Sequence, residues 1–128
     1  MLQIDTETMM IALTRGDSAS IVFSAVTPDG QVWHPDEGDT LTLAVAKKWG
    51  GEVLMKCENT YDGVDEEGFW TINITDDKWV DDSGNDKFKF SDYVYDVQVG
   101  TSTGADTIIG KTDDINPTFR VLGEVAEE

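Results

Sequence analysis

Any chemistry in this chain has to come from a narrow set of side chains. Its 128 residues include one histidine, His34, and one cysteine, Cys57. A Ser-His-Asp relay would have to pass through His34, and no serine stands in a nucleophile motif. One His and one Cys are too few for a zinc site of the usual Cys/His kind within a single chain. A lone cysteine also rules out an intrachain disulfide. Carboxylates, by contrast, are abundant, with 26 Asp and Glu. Two clusters, "DGVDEEG" at residues 62–68 and "DDSGND" at residues 81–86, offer the hard oxygens that calcium takes. Neither has the spacing of a calcium loop, so both read as solvated loops. Carboxylate pairs for glycoside cleavage can be drawn from so many acids at will, and no pair stands out. The expectation is a protein that is not an enzyme, with no catalytic residue, metal or cofactor.

Aromatic residues are the better candidates for contact chemistry. Four tryptophans, Trp33, Trp49, Trp70 and Trp79, lie in a short chain. Trp70 falls at an inward position of an alternating run and reads as core. Trp33, Trp49 and Trp79 fall in loops or at strand ends, where rings either cap the open ends of a fold or meet a partner; interfaces are rich in tryptophan. These three are the partner-contact candidates. Flat indole faces also stack on sugars, which keeps a carbohydrate-binding module using Trp49 or Trp33 as an alternative. A third motif is Arg15-Gly16-Asp17 in "LTRGDSASIVF". On a projecting loop it would suit an adhesion domain. Here it separates two alternating runs, Gly16 stands where a turn needs its permissive residue, and Asp17 and Ser18 can bond nearby backbone. The turn reading is preferred, and adhesion is the weaker alternative.

Charge narrows the partners. Nine Lys and Arg against 26 acids leave a net charge of −17. Such a surface repels phosphate backbones and anionic membranes, so neither nucleic acid nor membrane is expected as a partner. The only cationic cluster in the sequence is Lys47, Lys48 and Lys56. No run approaches the roughly 20 apolar residues of a membrane span, and "MLQIDTETMM" has no basic leader. Synthesis in a cytoplasm is the expectation. His34, beside Pro35, reads as an exposed loop residue, and Cys57 as a small buried apolar group.

These residues must be carried by strands, because the hydrophobic rhythm is mostly two. Met9, Ile11 and Leu13 share one face; so do Ala19, Ile21, Phe23 and Ala25; Leu41, Leu43 and Val45; Val53, Met55 and Cys57; Trp70, Ile72 and Ile74; and Tyr93, Tyr95, Val97 and Val99. "DTIIGK" and "PTFRVLG" close the series, with Phe119 and Val121 inward. That alternation suits sheets with one wet face. Turn residues fall between the runs: Arg15-Gly16-Asp17, Pro28-Asp29-Gly30, Gly50-Gly51 as a hairpin, and Ser102-Thr103-Gly104. Thr75 or Asp76 can cap one helical turn through Lys78 and Trp79, after which Phe88 and Phe90 tuck under the sheet edge. The pattern predicts an all-β fold: a single immunoglobulin-like antiparallel β-sandwich over residues 1–128, with about 7–9 strands and at most one short helical turn. A short N-terminal arm at about 1–7 and a frayed acidic tail at about 123–128 flank it.

The order of motifs also resembles a known family. "LTRGDS", "GDTLTLAVAKK", "GFWTINIT", "YVYDVQV", "DTIIG" and "PTFRVLGEV" together look like the immunoglobulin-like domain of phage and prophage tail proteins. They are similar to the N-terminal region of baseplate upper proteins. The likeness runs from about Ile11 to Val125. Its most specific pieces are the Thr14 to Asp17 turn, the Tyr93 to Asp96 strand and the Asp106 to Gly110 segment. The resemblance implies a virion structural role: a baseplate or fibre adaptor that docks to other tail or baseplate proteins and resides in the phage tail once assembled, with self-association left open. In that family the Arg-Gly-Asp tripeptide recurs as a turn. This chain stops where longer relatives continue into fibre or stalk regions, and its "DDSGND" loop looks like an insertion.

Overall fold

The computed structural model describes residues 2–5, 7–25, 27, 29–85, 87–88, 91–112 and 115–123. Among the described residues nine strands form two layers, as the alternation predicts. They are β1 (Leu2–Asp5), β2 (Met10–Thr14), β3 (Ala19–Val22), β4 (Thr40–Ala46), β5 (Val53–Thr60), β6 (Thr71–Ile74), β7 (Ser91–Thr101), β8 (Gly104–Ile109) and β9 (Thr118–Leu122). The large sheet runs in the order β1-β2-β9-β7-β4-β5, with β8 also on β7. The second layer is only the antiparallel pair β3-β6. Strands β4, β7 and β9 in one sheet facing β3 and β6 in the other make the sandwich immunoglobulin-like. The eleven-residue β7 is the spine. One edge pairs along β4; the other pairs first with β9 through Ser91 to Val94 and then with β8 through Val97 to Thr101.

Among the described residues all strand pairs are antiparallel but one. β2 runs parallel to β9, with Ile11 opposite Phe119 and Leu13 opposite Val121. The two strands lie at opposite ends of the described chain, so nearly the whole sandwich serves as their crossover. Leu2–Asp5, placed in an N-terminal arm from the sequence, pairs with β2 as an edge strand. Phe90 and most of the acidic tail, residues 124–128, lie outside the described residues, as do Pro28 and Asp86.

The inner rows are the predicted ones. Leu41, Leu43, Val45, Met55, Cys57, Tyr93, Tyr95, Val97, Val99, Phe119 and Val121 line the large sheet and are buried. Ile21, Phe23, Ile72 and Ile74 face them. Val53 is a correction: it was expected inward and is 50% exposed. A β-bulge puts Val53 opposite Ala46 and Met55 opposite Val45, so Leu54 is the extra residue and packs on the core in its place. Among the described residues the helical content is two single turns, one more than the sequence marks. The predicted turn is present as a 3-10 turn, Asp76–Trp79. A second, α1 (Glu66–Phe69), forms inside the acidic stretch. Asp65 caps it by accepting from the Gly68 N–H at 3.1 Å, and Glu66 and Glu67 suit the positive end of a helix.

Two four-residue strands cannot cover a sheet this wide. Aromatic rings from the segments flanking β6 complete the layer. Before β6, Phe69 stacks edge-on with Trp70 at 5.0 Å and with Tyr61 at 5.8 Å, and Trp33 meets Trp70 at 5.9 Å. After β6, Trp79 meets Phe88 at 5.2 Å, and Phe88 meets Tyr93 at 5.0 Å. Edge-to-face geometry at these spacings is the favourable arrangement for aromatic pairs. The Trp79 indole N–H also donates to the Asp17 carbonyl at 2.9 Å, so the ring is buried with its polar atom satisfied.

Tyr95 ties the N-terminal hairpin to this core. Its hydroxyl donates to the Met9 carbonyl at 2.5 Å, and Met9 holds a left-handed backbone with φ of 60°. Burial pushes the Tyr95 pKa from 10.0 to about 12.

Two predictions follow from this packing. Trp79→Ala should lower unfolding free energy by about 3–5 kcal/mol in urea titrations, the usual cost of emptying a large core site. The second concerns alkaline pH. An unfolded tyrosine sheds its proton near pH 10, whereas folded Tyr95 keeps its proton to about 12. The unfolded state is therefore favoured as pH rises through that window. Stability measured from pH 9 to 12 should fall less steeply for Tyr95→Phe than for the native chain.

Candidate functional site

The three tryptophan candidates separate once placed. Trp79 is corrected: at 1% exposure it is a core ring and offers nothing to a partner. The 3-10 turn, which rolls the ring inward under the sheet, is the cause. Trp33 and Trp49 are each half-buried. Trp33 packs on Trp70 and lines an open cleft of about 670 Å³ with Thr27, Asp106, Thr107 and Ile108. Trp49 sits on the β4–β5 hairpin, and its indole N–H donates to the Asn116 side chain at 2.8 Å. That bond ties the hairpin to the loop entering β9.

Arg15-Gly16-Asp17 is a tight turn. The Asp17 N–H donates to the Thr14 carbonyl at 3.0 Å, and Gly16 has φ of 90°. A glycine third in the turn is what a type II geometry requires. The Arg15 N–H donates to the Leu122 carbonyl at 2.9 Å, and the Asp17 carbonyl receives the Trp79 indole. The tripeptide backbone is thus bonded at both ends to the body of the sandwich and does not project.

The acidic clusters use their carboxylates to build loops. Asp62 Oδ1 accepts from the Val64 and Asp65 N–H groups at 2.9 and 3.3 Å, and these bonds hold its pKa below the ordinary carboxylate value. Asp81 Oδ1 accepts from Ser83 and Asn85 in the same manner. Thr75 and Thr27 hydroxyls donate to Asp77 and Asp29 and lower those two carboxyls likewise. Among the described residues, no three of His, Cys, Asp and Glu gather to hold a metal ion. His34 Nδ1 lies 2.7 Å from Glu66 on an exposed loop. Cys57 is buried, and desolvation pushes its thiol pKa up.

The cationic cluster differs from the one read in the sequence. Lys56 turns to Glu58 on its own strand at 3.4 Å. Lys87 takes its place, joining Lys47 and Lys48 around an open groove of about 870 Å³. Leu54 and Tyr93 also line the groove, and Glu52 stands beside them. The Lys87 ammonium donates to the Leu54 carbonyl at 2.9 Å. No local sequence signal marks Lys87, because it reaches the hairpin through the fold after a forty-residue excursion by way of β6 and the 3-10 turn. Asn59 was missed for a similar reason. It occupies the end of the inward row of β5, and its amide N–H₂ bonds the Gly68 and Thr71 carbonyls at 2.6 and 2.9 Å, clamping α1 against the sheet.

In comparisons with known proteins, no family model, curated protein or solved structure matches this chain.

If the tripeptide serves as a turn, its glycine carries the constraint. Gly16→Ala should destabilise the fold by about 1–2 kcal/mol in thermal or urea unfolding, from left-handed backbone strain alone. A Cβ at that position meets no atom within 4 Å, so no clash adds to it.

Proposed function

We propose that this chain is a non-enzymatic structural module of a phage or prophage tail, an adaptor in a baseplate or fibre acting through protein–protein contacts. The observation that carries the reading is the open large sheet. Among the described residues, β1 and the eight-residue β5 end its strand order with no further strand paired on their outer sides. Exposed strand edges are where sheets acquire partners. The resemblance in motif order to tail immunoglobulin-like domains supplies the biological setting.

The chemistry of the chain agrees with a contact role. Its one imidazole is engaged by a carboxylate on a loop, and its one thiol is buried. Asp62, Asp65 and Asp81 serve backbone N–H groups of their own loops. The body is held by one continuous core, which suits a part that must keep its shape while neighbours grip it.

Particles produced by the genome that encodes the chain provide the test. Mass spectrometry of purified, intact tailed particles should find the chain at a fixed ratio to the tail proteins. Its coding sequence should lie among tail genes. Intact tailed particles that lack it would overturn the proposal.

A further inference from the structure

The molecule has two chemically opposite poles on one strand. At one end of β5 lies the lysine groove, with Lys47, Lys48 and Lys87 around Leu54 and Tyr93. At the other end, beyond Thr60, the chain turns into the acidic loop at residues 62–67. Leu54 and Thr60 are six residues apart on an extended strand, which separates the poles by roughly 20 Å. Three of the nine cationic residues of a chain with net charge −17 thus converge on one site.

The acidic loop has the complementary build. Val64 stands at its tip at 85% exposure, the most exposed of the large apolar residues. Asp62, Asp65, Glu66 and Glu67 surround it in sequence. The loop is also pre-formed. Asp62 bonds the N–H groups of Val64 and Asp65, Gly63 takes φ of 85°, and Asp65 caps α1. An exposed apolar tip flanked in sequence by carboxylates, of which Glu66 already meets His34, is complementary in charge to a groove lined by Leu54, Tyr93 and three lysines. Pre-ordering reduces the entropy lost on docking.

We infer that the lysine groove of one copy receives the residue 62–67 loop of a second copy, joining the molecules head to tail. The inference rests on the assembly reading and names one of its contacts. A head-to-tail contact uses two different surfaces, so it repeats into a ring or an open filament rather than stopping at a pair. Net repulsion between two acidic bodies opposes it at low salt. At physiological ionic strength, where screening sets in over about 8 Å, distant charges drop out and the close lysine–carboxylate contacts remain. Among the described residues Glu52 is the one carboxylate lining the groove, and it works against the contact.

Sedimentation velocity of the full chain against protein concentration tests this at physiological salt. The native chain should sediment faster as concentration rises. Lys47→Glu with Lys48→Glu, and separately Val64→Lys with Glu67→Lys, should each weaken self-association at least about tenfold. All four side chains face solvent, so both variants should keep the native melting curve. Mixing the two variants should give a species sedimenting as a 1:1 pair and no larger, because the intact loop of one meets the intact groove of the other and neither can extend the chain. Both variants stay strongly acidic overall, so bulk attraction cannot produce that complex. A native chain that remains monomeric, variants that associate like it, or a mixture that stays monomeric would overturn the inference. Presence of the chain in tailed particles alongside any of those results would leave the assembly reading standing and this contact excluded.

Discussion

The constraint on which the rest depends is the unequal size of the two layers. A sheet six strands wide presents an inner face of leucine, valine, tyrosine and phenylalanine, and two strands of four residues face it. A two-stranded ribbon is marginal by itself. The remainder of the face is sealed by rings hung on either end of β6: Phe69 and Trp70 on one side, Trp79 and Phe88 on the other. These rings hold the short layer in place, and the short layer fixes where the rings sit. The Trp79 indole then reaches the Asp17 carbonyl, so the plug also anchors the turn between β2 and β3.

Much of this architecture is legible in the residue order. The rows Leu41-Leu43-Val45 and Tyr93-Tyr95-Val97-Val99 declare their faces because β4 and β7 are central, regular and buried on one side. Gly50-Gly51 and Ser102-Thr103-Gly104 mark their hairpins through turn chemistry. Departures occur where a single residue shifts the register or where distant segments meet. The extra residue at Leu54 turns Val53 outward, and alternation carries no mark of a bulge. The parallel pairing of β2 with β9 depends on the path of the whole chain. Trp79 looked like a loop ring because its burial depends on a 3-10 turn whose orientation is set by the sheet above it.

The candidate surfaces were less legible for the same reason. Lys47 and Lys48 are neighbours in sequence, but Lys87 joins them only through tertiary folding, while the nearer Lys56 points to Glu58. Part of the acidity sits in loops, while Glu66 and Glu67 fall on α1. What composition does not show is how much of it is structural: Asp62, Asp65 and Asp81 each accept from backbone N–H groups and shape the loops that carry them. The exposed acids of these loops thus also set the loops' shape.

Native-state hydrogen exchange measures the central dependence most directly, because it reports the opening free energy of each strand separately. If the aromatic plug unites the layers, amides of β3 and β6 will exchange only with global unfolding, at the same free energy as those of β4 and β7. Exchange of β3 and β6 at a much lower free energy, with β4 and β7 still protected, would show that the short layer opens without the core and would contradict the account.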